Sequence, residues 1–225
     1  MPVFILSEKI SFPPPYLAEK NVLMAIGGDL CEERLLLAYK KGIFPWFSEG
    51  EPILWWSPDP RLVLYPKDFT VSKSLEKIIK RNIFEITFDK AFCEVINECS
   101  LISSENNEGT WLVEDMKIAY KKLHKSGYAH SVEVWHNGKI SGGLYGVSLG
   151  KCFFGESMFS RISNSSKVAL AFLVKRLVDM SFDFIDCQVA TRHLISLGAK
   201  EIPRIRFLKE LKKALDAPTI KGAWG

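Results

Sequence analysis

The chain of 225 residues has little of what metal sites, disulfide frameworks and membrane spans require. Its five cysteines and four histidines are scattered, with no Cys-x-x-Cys pair and no zinc spacing, so we expect reduced thiols, no metal and no other cofactor. The longest apolar run, residues 168–174, is too short to cross a bilayer. No basic leader or cleavage site accompanies the apolar residues 3–6, so we expect no signal peptide. These absences favour a cytoplasmic protein that does not act at a membrane.

The composition is that of an ordered globular chain with a mildly basic surface. Hydrophobic residues make up 47% of the sequence, and the formal net charge is +4. This length permits one large domain, or one large and one small domain. The basic residues form three clusters, which are Lys73, Lys77, Lys80 and Arg81, then Lys121, Lys122 and Lys125, then Lys209, Lys212 and Lys213. Such clusters are most often solvated helix faces, although they are compatible with an RNA partner.

The pattern of residues divides the chain into two parts. Residues 1–63 are rich in proline and tryptophan, with one amphipathic helix at 31–41, and we interpret them as a small amino-terminal domain. Residues 64–225 alternate between strand and helix patterns and form the larger domain. The dipeptide Asn137-Gly138 predicts a tight hairpin. We therefore predict an α+β fold with a central, mostly antiparallel sheet.

Two acids lie within apolar strand patterns and mark a candidate site. Glu156 lies in one such strand, and Asp186 lies in another that also carries Gln188. Burying an uncompensated polar group costs roughly 2–7 kcal/mol, so each acid needs a partner or a solvated cleft. Because side chains alternate along a strand, we expect Asp186 and Gln188 to share a face. The alternative is a structural role, in which backbone N–H groups or Arg161 satisfy a buried acid.

Other residues give weaker signals. Cys187 is a candidate nucleophile with His130 or His193 as its base, but the neighbouring Asp186 raises the pKa of a thiol and so disfavours this role. Trp46 and Trp111 lie in predicted loops, where tryptophans either cover a core or stack against a base.

Several segments together resemble one protein family. They are residues 42–47 (GIFPWF), 54–61 (LWWSPDPR), 127–133 (GYAHSVE), 155–160 (GESMFS), 186–188 (DCQ) and 193–198 (HLISLG). The family is the bacterial leucyl/phenylalanyl-tRNA–protein transferases, and the resemblance runs in register from about residue 12 to residue 203. It implies a small amino-terminal domain joined to a larger domain similar to the GCN5-related acetyltransferase fold.

The resemblance also implies an activity and partners. Leucine or phenylalanine would pass from Leu-tRNA or Phe-tRNA to the α-amine of a protein that begins with Arg or Lys, which forms a peptide bond and marks the acceptor for degradation. No cofactor is implied, because an aminoacyl ester is already activated. Nothing in the sequence requires more than a monomer.

The resemblance assigns roles to individual residues. Trp46 and Trp111 would sandwich the terminal adenine of the tRNA, and Glu156, Asp186 and Gln188 would surround the reacting ester and the incoming amine. The side chain of the transferred amino acid would lie in an apolar pocket of Leu144, Met158, Leu170, Leu173, Leu177 and Ile185.

More than one group could carry the amine proton, and Glu156 has a further possible role toward the acceptor. Asp186 would accept the amine proton or relay it through Gln188, or it would only orient the amine while a ribose hydroxyl carries the proton. Glu156 would bind the cationic side chain of the acceptor. One segment departs from the family pattern, because Thr191-Arg192 stands where many relatives have Asn before the His-Leu pair.

Two alternatives remain beside the transferase. An acyl-CoA N-acetyltransferase would share the fold, but the sequence has no Arg/Gln-x-x-Gly-x-Gly/Ala loop for a pyrophosphate. A catalytically inert RNA-binding module would need the tryptophans and lysines, but not Asp186 or Glu156.

Overall fold

Two β-sheets organise the part of the chain that the computed structural model describes, residues 3–17, 23–105 and 112–225. The smaller sheet has the strand order β1-β2-β4-β3, with β1 at Phe4–Leu6, β2 at Leu23–Gly27, β3 at Phe44–Pro45 and β4 at Leu54–Trp56. Helix α1, Glu32–Lys40, follows β2 and ends next to Gly42, whose φ of 70° suits glycine. The sequence predicted the helix but not the sheet, because its strands are only two to five residues long.

The larger sheet has the strand order β11-β5-β10-β9-β8-β7-β6. Its strands are β5 at Arg61–Leu64, β6 at Glu85–Phe88, β7 at Ala129–His136, β8 at Lys139–Leu149, β9 at Cys152–Ser160, β10 at Phe184–Gln188 and β11 at Lys200–Ile202. Only β9 and β10 pair in parallel, and the other neighbouring strands of this described sheet pair antiparallel. The predicted α+β class with a mostly antiparallel sheet is confirmed, and so is the hairpin at Asn137-Gly138, where both residues have positive φ. The division of the chain at residue 63 stays a prediction.

Helices cover both faces of the larger sheet. They are α2 at Lys73–Lys80, α3 at Phe92–Glu105, α4 at Glu114–Lys125, α5 at Ser165–Asp179, α6 at Arg192–Ser196 and α7 at Arg204–Leu215. One apolar cluster joins α3, α4 and α7 to α1 and the smaller sheet, and a second joins α2 and α5 to the opposite face. None of these helices is long and apolar enough to cross a membrane, among the residues described.

Irregular pairing at β9 and β10 positions the candidate site. Tyr145 pairs with Ser157 and Gly146 pairs with Gly155, so Glu156 is the extra residue of a bulge in β9. In β10, Asp186 pairs with Val63 of β5 and Gln188 pairs with Leu62, so Cys187 is the extra residue of a second bulge. The parallel pairing of β9 with β10 ends at Phe154 and Asp186. Beyond this point the backbones of the two strands no longer pair, and a cavity opens.

Candidate active site

A largely apolar cavity of about 490 Å³ lies where β9 and β10 separate. Its lining includes Phe44, Pro45 and Trp46 from the region around β3, so both sheets contribute to it. Glu156 and Gln188 also line it. The cavity is therefore an apolar chamber with a few polar groups, which is the usual form of a small-molecule site.

Most of the predicted pocket residues do line this cavity. Those that line it are Leu144, Met158, Leu170, Leu173 and Ile185, and Phe153 joins them although the sequence did not indicate it. Leu177 is fully buried on α5 in the same apolar cluster but does not line the cavity. A helical repeat cannot by itself show which buried residues border an empty volume.

Glu156 is held by two tyrosine hydroxyls. Tyr39 of α1 donates to Oε1 over 2.8 Å, and Tyr120 of α4 donates to Oε2 over 2.7 Å. The two hydroxyl oxygens are themselves 2.6 Å apart. The side chain of Gln188 adds a longer contact from Nε2 to Oε1 at 3.4 Å. Three separate elements therefore converge on this one carboxyl group.

This environment changes how Glu156 titrates. Burial raises the pKa of Glu156 to about 7, against hydrogen bonds from Tyr120 and Tyr39 that lower it. Burial and the neighbouring Glu156 raise the pKa of both tyrosines well above the usual value, so their hydroxyls keep their protons. Glu156 is thus the group of this cluster that can change charge near neutral pH.

Asp186 has a different environment. Its oxygens accept two hydrogen bonds from the Arg61 guanidinium, from Nε to Oδ1 at 2.8 Å and from Nη2 to Oδ2 at 2.7 Å. Both side chains are almost fully buried, and the Arg61 guanidinium lies between the rings of Phe44 and Phe207, at 4.9 and 4.6 Å from their centroids. Asp186 does not border the cavity. The partner of this acid is Arg61 and not Arg161, which binds Glu98 over 2.7 Å.

The bulge in β10 explains why the expected alternation is wrong. Gln188 has a φ of 55°, and its backbone N–H donates to Oδ1 of Asp186 over 3.0 Å. The extra residue turns the end of the strand, so that Cys187 and Gln188 both reach the cavity while Asp186 points to Arg61. Asp186 therefore does not contact the cavity, but it fixes the position of Gln188 through the backbone N–H of that residue.

Two further titratable groups of the cavity, Cys187 and His193, are poorly placed for nucleophilic catalysis. Burial and nearby Asp186 raise the pKa of Cys187, so its thiol stays protonated, and its bond is to the carbonyl of Ile185. Burial and Lys167 lower the pKa of His193, whose Nε2 has no hydrogen-bond partner among the described residues. His130, the other predicted base, is stacked on Trp224 and bonded to Asp89, away from this cavity.

Two further expectations concern the predicted tryptophans and the absence of a metal site. Trp46 borders the cavity and is 44% exposed, so part of this residue is open to solvent at the edge of the cavity. Trp111 lies outside the described residues. Among the described residues no group of three or more His, Cys, Asp or Glu side chains is arranged to hold a metal ion.

Comparison with known proteins identifies the family. The family described as "Leucyl/phenylalanyl-tRNA protein transferase" matches residues 63–212, and its N-terminal domain matches residues 28–59. The chain belongs to this family.

Similar proteins cover the chain from end to end. The leucyl/phenylalanyl-tRNA–protein transferase of Desulforapulum autotrophicum is 57% identical over all of this chain and 98% of its own length. That of Desulfatibacillum aliphaticivorans is 55% identical over all of this chain and 96% of its own length. Among solved structures, an aminoglycoside acetyltransferase from a soil metagenome is similar at a TM-score of 0.41 and 12% identity, over 59% of this chain and 89% of that one.

Proposed function

We propose that this enzyme transfers leucine or phenylalanine from aminoacyl-tRNA to the amino terminus of proteins that begin with Arg or Lys. It does so in the cytoplasm, and the new terminal residue is a degradation signal. Family membership supports the transfer from aminoacyl-tRNA to protein. The observation that carries the proposal furthest is the apolar cavity that ends at the carboxyl and amide groups of Glu156 and Gln188.

The cavity suits an uncharged side chain of limited size. Its walls of leucine, isoleucine, methionine and phenylalanine favour leucine or phenylalanine and disfavour charged amino acids, which would lose their hydration without a partner. The aminoacyl ester needs no further activation. Holding amine and ester carbonyl in reactive contact supplies about 7–11 kcal/mol of the barrier in favourable cases.

The tRNA end would reach the cavity beside Trp46. A base that stacks on an exposed aromatic ring gains about 1–3 kcal/mol. We assign the terminal adenine to this position. Nothing in the sequence requires more than a monomer, and we propose that the enzyme acts as one.

A basic surface is available for the tRNA backbone. Lys73, Lys77 and Lys80 of α2 and the adjacent Arg81 are all exposed, and the contact between Lys80 and Glu76 is a surface ion pair. Phosphate contacts of this kind are independent of sequence and weaken steeply with salt. We therefore expect tRNA binding to weaken steeply as the salt concentration rises.

The experiment that tests the function measures transfer of labelled leucine from Leu-tRNA to two peptides, one beginning with Arg and one with Asp. We expect label on the Arg peptide alone. Equal labelling of both peptides would refute the acceptor rule. No transfer to either, with tRNA binding intact, would refute the enzyme and favour an inert RNA-binding module.

A matched pair of variants tests the pocket. Leu173 and Leu177 lie one turn apart on α5 and both are buried, but only Leu173 borders the cavity. Leu173→Ala enlarges the pocket, and we expect it to shift the preference between Leu-tRNA and Phe-tRNA toward Phe-tRNA by about tenfold or more. A difference of one methylene group between a side chain and its pocket already changes selection by about 1–3 kcal/mol. Leu177→Ala removes the same atoms from the core and should leave the preference unchanged. A shift of equal size in both variants would show that the cavity does not hold the transferred side chain.

A further inference from the structure

We propose that Glu156, rather than Asp186, takes the proton from the attacking amine and passes it to the leaving ribose oxygen, and that Tyr39 and Tyr120 form the ring of hydrogen bonds that holds this proton. This inference rests on the proposed function. It assigns the proton step to a carboxyl group that lines the cavity and gives Asp186 a positioning role.

The first argument is a count of protons. Three oxygen-to-oxygen contacts join Glu156, Tyr39 and Tyr120, at 2.8, 2.7 and 2.6 Å. Each hydroxyl brings one proton, so an ionised Glu156 leaves two protons for three contacts, and two oxygen lone pairs then face each other. A protonated Glu156 brings the third proton: it donates to one hydroxyl instead of accepting from it, that hydroxyl donates to the other, and each of the three contacts then holds one proton. The geometry of the ring is therefore that of the neutral carboxyl group.

The second argument is that Asp186 is not available. Both of its oxygens are occupied by Arg61, one of them also by the backbone N–H of Gln188, and the side chain is fully buried away from the cavity. A proton placed on Asp186 would break a buried ion pair. Glu156 borders the cavity, and its Oε2, which accepts only from Tyr120 among the described residues, has a second lone pair for an incoming amine.

The third argument concerns the charges around Glu156. Tyr39 and Tyr120 contact it directly, Tyr145 faces them from β8, and the Asp186–Arg61 pair lies behind β10. Asp186 raises the pKa of Glu156 and Arg61 lowers it, so the pair acts with opposing signs, and burial remains the main reason that the pKa of Glu156 is near 7. A base with a pKa near the working pH is the most effective proton carrier.

The step balances without any outside reagent. The neutral α-amine attacks the ester carbonyl and a C–N bond forms, while one amine proton moves to the free lone pair of Oε2 on the Glu156 carboxylate. Rotation of this new O–H about its C–O bond toward Tyr120 then closes the ring. The C–O bond to the terminal ribose then breaks, and the same proton moves to the ribose oxygen. Glu156 returns to its ionised form, and no net proton is consumed. This role also argues against Glu156 as the site for the acceptor's cationic side chain, because the carboxyl group is neutral for part of each turnover.

Infrared spectroscopy tests the ring without any substrate. The carboxylic acid C=O stretch of the full-length enzyme should contain a band that disappears as the pH rises through about 7 and that is absent at every pH in Glu156→Gln. If the wild-type and variant spectra show the same bands throughout this range, Glu156 is not protonated in the ring and the inference is overturned.

The pH dependence of transfer tests the proton step. Single-turnover rates of Leu-tRNA with the Arg peptide should rise with pH through about 7 in the wild type, apart from the titration of the peptide amine at higher pH. Glu156→Gln keeps the shape of the side chain but cannot carry the proton, so we expect a loss of about 100-fold or more and loss of this step in the profile. His193→Gln is the matched variant, because His193 is the cavity's other candidate base, and we expect the step in the profile to remain there.

The outcomes separate this inference from the proposed function. A step that persists in Glu156→Gln, or that is lost in His193→Gln instead, overturns the role of Glu156 while leaving the transferase intact. Absence of transfer by the wild type would refute the proposed function itself. The infrared spectra would still show whether Glu156 is protonated in the ring.

Discussion

Two neighbouring strands each carry an acid beside a bulge, yet the two acids are in opposite situations. Asp186 in β10 faces a buried guanidinium that satisfies both of its oxygens, and it does not reach the cavity. Glu156 in β9 faces two neutral hydroxyls and the cavity. The buried carboxylate with a charged partner is part of an ion pair that holds the structure together, whereas the one with neutral partners can change its charge near neutral pH.

The difference arises from where each bulge places its extra residue. In β9 the extra residue is the acid itself, so the bulge aims Glu156 at the cavity. In β10 the extra residue is Cys187, so the bulge aims the cysteine and Gln188 at the cavity and leaves Asp186 on the side of β5, where Arg61 lies. A one-residue difference in strand pairing thus separates a group suited to chemistry from one suited to structure.

The largest expected effect comes from breaking the buried ion pair. Asp186→Asn leaves the Arg61 charge buried without a counter-charge, and we expect a loss of about 3–5 kcal/mol in the free energy of unfolding, measured by urea denaturation. The matched change at the other acid, Glu156→Gln, should cost little at about pH 8, because its partners are neutral. Equal costs for the two variants would remove the contrast between the acids.

A double-mutant cycle is the control for this comparison. Arg61→Met alone leaves Asp186 unpaired, whereas Arg61→Met with Asp186→Leu removes both charges. We expect the double variant to lose clearly less stability than the sum of the two single changes. Additive losses would mean that the two side chains are not coupled.

The second effect is a pH dependence of stability that belongs to Glu156. The pKa of Glu156 is raised from 4.5 to about 7 on folding, so the folded protein binds this proton more tightly. The resulting stabilisation is fully present below about pH 4.5 and is lost as the pH rises through about 7. The free energy of unfolding of the wild type relative to Glu156→Gln should therefore fall by at most about 3 kcal/mol between these limits. A difference that is flat with pH, or that grows as the pH rises, would contradict the raised pKa.

Sequence reasoning reached the strands of the site but not its pairings. The apolar context of Glu156 and Asp186 marked both acids, and the family resemblance placed them beside an apolar pocket that Leu144, Met158 and Leu173 do line. The bulges were not predictable, because they depend on how residues pair across strands that are distant in sequence. Alternation therefore gave the wrong face for Asp186 relative to Gln188.

The partners of the two acids were missed for a related reason. Tyr39 lies in the predicted helix 31–41 and Tyr120 lies 81 residues further along the chain, and nothing in the sequence shows that their hydroxyls meet at the carboxyl group of Glu156. The position of Arg61 is informative in the sequence, because an arginine at the start of the apolar segment of β5 needs a buried counter-charge as much as Asp186 does. Pairing the buried charges of opposite sign would have suggested the Arg61–Asp186 contact.

The smallest effect distinguishes the ring hydroxyls from a third tyrosine beside them. Tyr39→Phe removes a hydroxyl that bonds both Glu156 and Tyr120, and we expect a loss of about 1–2 kcal/mol in the free energy of unfolding. Tyr145→Phe is the matched control, because the Tyr145 hydroxyl is also buried but has no hydrogen-bond partner among the described residues. Removing an unsatisfied buried hydroxyl should leave stability unchanged or slightly increase it. Similar losses in both variants, measured side by side in urea, would show that the cost comes from the loss of a buried oxygen's packing and not from the hydrogen bonds around Glu156.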